Sequence, residues 1–498
     1  MLNQIVFDDE ITLWWQEENF SETGLRYECF LNGKRHGETN KTHYTFCGLQ
    51  ADETYQITVQ ILKGENLLRT EKLLLKTLPR KRKIDVTKPP YSAVGDGKTI
   101  VTQALQKALD DCRSGDCVYF PDGEYLTGAL DVHSDTEIYF EIGATLQGTE
   151  DEKDYLPKVK SRFEGTEREC YRSLINIGTL DHTAGYTTKN VVIRGKGRIY
   201  GGGAGLAKRI TKVEKERLQE FLKANADYVK TCENENTIPA RARGRLININ
   251  NTENVVLSGL ALGYGASWNI HFVYSKNIIT YGCSISSQGV FNGDGWDPDS
   301  SENCVIFDTV FDTHDNAIAI KSGKNPEGNE IKRPTKNVYI FDCRGKNDFA
   351  IGSEISGGVD GVYVWDCHFF DSWGINIKTT PLRGGYIKNV RVTNSEMSSI
   401  TVRTRFPCND DGDGAGYLTE LRDFYFENLH LQGVFTAPYL KEGKQLIPVI
   451  SIDGFKGGEP IKNVTLRNVK ILPKENGEMQ EIKCRNVKNL TMENVEFE

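Results

Sequence analysis

The chain is poor in the features that mark export, membrane insertion or a structural metal. Its 498 residues include only 4 methionines, 8 histidines and 15 prolines. No stretch approaches the ~18–20 consecutive apolar residues that cross a bilayer. The opening residues, MLNQIVFDDEITLWW, lack a basic segment followed by an apolar one and a small-residue cleavage site. The 12 cysteines are scattered without a CxxC pair or a His/Cys cluster, a distribution suited to buried reduced thiols rather than disulfides or zinc. A soluble, cytoplasmic protein is expected. The formal charge of -8 argues against general attraction to nucleic acid, while a local basic pocket for an acidic ligand stays open. Neither a nucleic acid nor a membrane is an expected partner, and a homo-oligomer is compatible with the sequence.

Short strands and turns fill residues 1 to about 78: ITLWW, LRYECFLNG, THYTF, YQITVQIL and EKLLLKTL, with Asn32-Gly33 as a hairpin signal. They predict a small β-sandwich, joined by a charged linker, Pro79 to Lys83, to a second domain covering 84–498. That domain opens on a predicted amphipathic helix, with Thr99 as its cap and Val101, Ala104, Leu105, Ala108 and Leu109 on one face. From Lys189 onward one phrase returns: KNVVIRG, ENVVLSG, KNIITYG, ENCVIFD, KNVYIFD, DGVYVWD, KNVRVTN, RDFYFEN, KNVTLRN and KNLTMEN. Each sets a turn residue before alternating apolar positions. A single such strand cannot bury its apolar side, whereas stacked coils bury a continuous column, which is the logic of a parallel β-helix. Residues 204 to about 232 break the rhythm and predict an inserted helix lying on the coils.

Chemistry concentrates in NGDGWDPDSS, from Asn292, and FDTHDNAIAIKSG, from Phe311. Inward Ile318 and Ile320 send Ala317, Ala319 and Lys321 outward, with Asp315 on the same parity. Asp294, 21 residues before Asp315, is expected about one coil away. In GINIKTTP, inward Ile375 and Ile377 project Asn376 and Lys378 outward. Two carboxylates flanking a sugar linkage suit glycoside hydrolysis, and Asp294 is expected to help keep Asp315 protonated. Asp and Asn also serve as ordinary turn residues. Arg241, Arg243 and Arg245 form either an anion-binding rim or one solvated strand edge. Glu354 either contacts sugar hydroxyls or braces a turn, and Trp296 and Trp373 either stack on a sugar ring or pack within the repeats.

AVGDGKT, NGDGWDPDSS, FDTHDNAIAIKSG, AIGSEISGGV and IKTTPLRGG together resemble the polygalacturonase family, glycoside hydrolase family 28, from about residue 84 to the end. The N-terminal strands resemble a fibronectin type III module. The resemblance implies an all-β, right-handed parallel β-helix of the pectin-lyase-like type and an inverting, exo-acting glycosidase for pectin-derived oligosaccharides, with no metal or cofactor. By the same resemblance, Asn292 and Asp294 match an Asn-Thr-Asp motif, with Asp294 as base assisted by Asp297 or Asn316. Asp315 is the general acid, and Asn292, Asn316, Lys378, Asn376, Arg383 and Lys346 are the expected substrate contacts. Three positions depart from the pattern: Asn316 replaces a second acid, Lys346 stands where a histidine is expected, and Asn376 where an arginine is. Asn316 cannot take a proton from water, and Asn376 lacks a carboxylate-binding fork. An unusual terminal sugar is therefore expected. The rivals are a catalytically diverged carbohydrate-binding protein and a calcium-dependent β-helix lyase.

Overall fold

The computed structural model describes residues 2–17, 22–232, 234–370, 373–405, 412–432, 448–472 and 481–497. The chain divides into two compact units, Met1–Lys83 and Ile84–Glu498. The first has two antiparallel sheets. One joins Leu2–Val6, Glu10–Trp15 and His43–Cys47; the other joins Leu25–Leu31, Lys34–Thr39, Thr54–Lys63 and Asn66–Lys76. Alternation on both sheets sends Ile11, Leu13, Phe46, Tyr27, Ile57 and Val59 into one shared core. The Tyr55 hydroxyl accepts the Gln50 backbone N–H at 2.8 Å, bracing the turn before its strand.

The second unit is a right-handed parallel β-helix. A twenty-stranded and an eleven-stranded sheet run along it, the latter from Leu130–Val132 to Ile482–Arg485. Long strands such as Glu302–Asp312 bend between faces, pairing first with Lys276–Tyr281 and then with Ser284–Ser286. The returning phrase has a geometric cause. Its second residue holds a positive φ in every coil: Asn190, Asn254, Asn277, Asn303, Asn337, Gly361, Asn389, Asp423, Asn463 and Asn489. Asn, Asp and Gly tolerate that left-handed turn. Their side chains also stack: Asn254 donates to Asn190 at 3.1 Å, Asn277 to Asn254 at 2.9 Å and Asn303 to Asn277 at 3.2 Å.

In the eleven-stranded sheet too, the apolar parity points inward. Ile270 and Phe272, Ile318 and Ile320, Phe349 and Ile351, Ile375 and Ile377, and Ile400 and Val402 line one buried column. Each fully buried side chain of this kind contributes about 1.5–3 kcal/mol. The helix Thr102–Asp111 packs Leu105, Ala108 and Leu109 into this core. Thr99 does not cap it: Thr99 lies in the strand Asp96–Ile100, and its N–H and hydroxyl donate to the Asp96 carboxylate. The insertion forms helices Gly203–Arg217, Gln219–Ala224 and Ala226–Thr231, and the first lays Leu206, Ala207 and Ile210 on the core. Arg82 and Lys83 of the expected linker instead open a strand, Arg82–Asp85.

Candidate active site

The outward faces of four successive coils build the site. Trp296 pairs with Ile318 and Asp299 with Lys321, an offset that sets Asp294 beside Asn316, one residue later than the spacing of the two acids predicts. Backbone bonds fix this register: Gly295 N–H donates to Asn316 O at 3.0 Å and Trp296 N–H to Ala317 O at 3.1 Å. Asn316 consequently stands between the acids. Its Nδ2 lies 2.9 Å from Asp315 Oδ1 and 3.5 Å from Asp294 Oδ2, and its Oδ1 accepts from Lys378 Nζ at 3.3 Å. Asp315 is half-buried, whereas Asp294, Asn316 and Lys378 are buried. Lys321, placed outward by parity, proves central: its Nζ lies 3.3 Å from Asp294 Oδ2, 3.3 Å from Asp297 Oδ1 and 3.9 Å from Glu354 Oε2.

This crowding sets the protonation. Burial, reinforced by Asp315 and opposed by Lys321 and Lys378, pushes Asp294 up to about 6. Burial and the Asp294 charge hold Asp297 well above the usual carboxylate range. Asp294 Oδ1 and Asp297 Oδ2 are buried and accept no hydrogen bond among the described residues, while Asp297 Oδ1 faces Lys321 Nζ at 3.3 Å, so a proton held by the pair offsets part of the cost of burial. The Asp294 carboxyl, which the sequence expected to act on its neighbour, is thus itself raised. Burial also opposes ionisation of Glu354, but Lys321, Arg383 and Lys378 outweigh it and keep Glu354 ionised. Deeper still, Asp299 accepts from Arg162 Nη1 at 2.8 Å, and this charge overcomes burial to bring Asp299 down to about 2. Its neighbour His271 is lowered to about 4 by burial.

The family model of glycosyl hydrolases family 28 matches residues 156–404, half of the chain, and that span contains all these acids. The chain belongs to glycosyl hydrolases family 28. It is 27% identical over 377 residues to an exo-poly-alpha-D-galacturonosidase of Dickeya chrysanthemi, covering 71% of this chain and 62% of that protein. It is 29% identical over 325 residues to a probable polygalacturonase of Vitis vinifera, covering 62% and 60%. The chain therefore spans about three-fifths of the length of these relatives. Two solved structures share its fold. A family 28 exopolygalacturonase of Yersinia enterocolitica has a TM-score of 0.81 at 21% identity, covering 100% of this chain and 97% of that one. A hyperthermoactive exopolygalacturonase from Thermotoga maritima has a TM-score of 0.68 at 25% identity, covering 84% and 91%.

Several expectations drawn from the family 28 resemblance change in the structure. Lys346 is exposed at the end of the strand Thr335–Lys346, which belongs to the larger sheet, opposite Asp312. Arg383 is fully buried, donating to Ser353 O at 3.1 Å and Asn325 Oδ1 at 2.7 Å, and so braces the segment carrying Glu354. Asn376 is also buried, between Asp348 and Arg403, with no solvent-facing amide to offer. Asn292 is half-buried and accepts from Arg243 Nη2 at 2.6 Å.

The arginine triplet is neither a rim nor a solvated edge. Residues 241–245 form a turn and loop rather than a strand, and all three guanidinium groups are buried. Arg241 pairs with Glu164 at 2.8 Å, Arg243 donates to the carbonyls of Ala240 and Phe291, and Arg245 to those of Arg243 and Arg162. Trp296 packs in the core, as parity predicts, and its Nε1 donates to Thr280 Oγ1 at 3.1 Å. Trp373 is half-buried beneath the Arg403 guanidinium. Arg162, Asp299 and His271 were not singled out in the sequence, although WDPDS gives Asp299 the outward parity of Asp297.

Proposed function

We propose that this chain is an exo-acting hydrolase of pectin-derived oligosaccharides, with Asp315 as general acid and Asp294 as base. The observation that carries this reading is the convergence of Asp294 and Asp315 on the single Asn316 amide beside Lys378. The half-buried Asp315 protonates the departing glycosidic oxygen. Asp294 accepts a proton from the attacking water, and water's oxygen takes the bond to the anomeric carbon that the leaving oxygen gives up. Asn316 orients that water but takes no proton, and Lys378 steadies the sugar. Lys321 keeps the buried Asp294–Asp297 pair from carrying two uncompensated charges.

Terminal action is supported by the hairpin Val159–Phe163 and Thr166–Cys170. Its Ser161 Oγ accepts from Asn248 Nδ2 at 3.0 Å, its Arg162 bonds Asp299, and Lys324 N–H donates to Gly165 O at 2.8 Å. It therefore lies against the outward face from the coil of Asn248 to the acid-bearing coils themselves, forming a wall beside the acids. The relatives named as exo-acting on galacturonan point the same way. The strand pairing of the N-terminal unit and its Tyr55 brace favour a fibronectin type III module, and the unpaired buried thiols Cys283, Cys304, Cys343 and Cys367 favour a reducing, cytoplasmic setting.

The test is a chromatographic screen of galacturonan and rhamnogalacturonan fragments with the parent, Asp294→Asn and Asp315→Asn. The parent is expected to release terminal sugars without mid-chain products, and each variant to lose about 10²–10⁴-fold in rate. A parent that leaves every fragment whole overturns the reading, as do variants that keep its rate.

A further inference from the structure

The loop of residues 287–293 carries an exposed aromatic ring to the edge of the acid cluster. It joins the strands Ser284–Ser286 and Trp296–Asp299. Phe291 stands three residues before Asp294, so their Cα atoms are at most about 11 Å apart. The ring is 46% exposed, whereas the nearby Phe163 and Trp268 are buried. A single aromatic at a surface needs no special role, but this one is held in place. Arg243, itself buried, donates from Nη1 to Phe291 O at 2.8 Å and from Nη2 to Asn292 Oδ1 at 2.6 Å. Its guanidinium carbon lies 5.5 Å from the centre of the Phe291 ring and 5.4 Å from that of Phe163. The column continues inward, with Phe163 stacked on Trp268 at 5.0 Å and Lys321 Nζ 4.7 Å from the Trp268 ring. That same Lys321 touches Asp294.

The loop is also bonded to the segment that carries Asp315. His314 N–H donates to Ser287 Oγ at 3.1 Å, and Ser287 Oγ donates in turn to Gly293 O. Gln288 Nε2 donates to Asp312 Oδ1 and to Thr313 O, each at 2.9 Å. Phe291 is thus fixed relative to both acids, and a surface ordered in advance binds at a smaller entropic cost. Its chemistry selects the ligand. Hydroxyls and carboxylates of a sugar find polar partners, while the face of ring C–H bonds needs an apolar one. In a galacto-configured pyranose H3, H4 and H5 share one face and form such a patch. Phe163 belongs to the hairpin that walls the groove. Its contact with Arg243 therefore ties Phe291 to the walled end, where a chain terminus lies.

We propose that Phe291 is a stacking platform for the C–H face of the non-reducing terminal sugar, the one whose anomeric carbon is attacked. The choice of that sugar rests on the exo-acting reading above. The contact itself is independent of charge, and Arg243 acts as the positioning residue that holds the ring without touching the ligand.

The test is saturation-transfer NMR and calorimetry of trigalacturonate with the full-length Asp315→Asn chain, which binds without turnover. Irradiating the aromatic protons should saturate H3, H4 and H5 of the non-reducing terminal sugar more than any protons of the other two. Adding Phe291→Ala should abolish that preference and weaken binding about 10-fold, the effect of losing a half-covered apolar ring. Phe291→Trp should restore both. Saturation centred on another sugar, no binding at all, or an alanine variant with unchanged affinity overturns the proposal. Should the alanine variant fail to fold, the saturation pattern of the Asp315→Asn chain decides alone. Terminal-sugar saturation, with a parent chain that cuts nothing, would sink the hydrolytic reading and leave this one standing. Cleavage by the parent that Phe291→Ala leaves untouched would do the reverse.

Discussion

Asp294 shows how a residue's role follows from its surroundings. In water its carboxyl would be ionised throughout the neutral range, but here burial and Asp315 raise it to about 6. As base, Asp294 must be ionised, so kcat/KM is expected to fall as pH drops through about 6. The stability consequence has the opposite direction. A carboxyl raised in the folded state stabilises the fold fully below its unfolded value, and that contribution is lost as pH rises through about 6. Asp294→Asn, neutral at every pH, should therefore be inactive yet more stable than the parent at pH 8, by about 1–3 kcal/mol. The two should melt alike near pH 4. Thermal melts at the two pH values check this, and a variant destabilised equally at both would contradict it. The acids were legible as residue types on one parity. Their relation was not, because 21 residues separate the acids while the register aligns Asp294 with Asn316.

At the scale of the element, the strand phrase is legible because alternation and a left-handed Asn leave marks in sequence. The same alternation misleads in ARARGR. There no strand forms, and loop carbonyls without ladder partners are met by arginine donors drawn from an apparent strand pattern. Arg403 is the converse: ITVR repeats the parity of INIK, but only their stacking shows that Arg403 falls beside Lys378. The asparagine turns make a sharp prediction. Asn303 has φ 54° and bridges Asn277 and Asn337. Asn303→Gly keeps the turn and loses the ladder bonds, whereas Asn303→Ala loses the bonds and adds about 1–2 kcal/mol of left-handed strain. Denaturant titrations should therefore rank parent above glycine above alanine. Alanine matching glycine would show that the turn carries no conformational demand.

Across the whole molecule, the β-helix converts residues far apart in sequence into neighbours one or two coils apart, and so Asn316 touches both Asp294 and Lys378. The fold was legible because every coil repeats the same instruction, and the family because phrases such as NGDGWDPDSS and FDTHDNAIAIKSG stand in order along it. The hairpin of residues 159–170 was not, since its hold comes from single contacts, Arg162 to Asp299 and Gly165 to Lys324, that no periodicity announces. Because Asp294 Oδ2 and Asp315 Oδ1 share one donor, their spacing falls at or below the lower edge of the ~6.5–9.5 Å range of inverting pairs. Stereochemistry is therefore the direct test of whether Asp294 activates water or attacks the sugar itself. Proton NMR of the sugar first released from an α-linked galacturonide should show the β-anomer before mutarotation. The α-anomer appearing first, or an unsaturated product, would contradict the account.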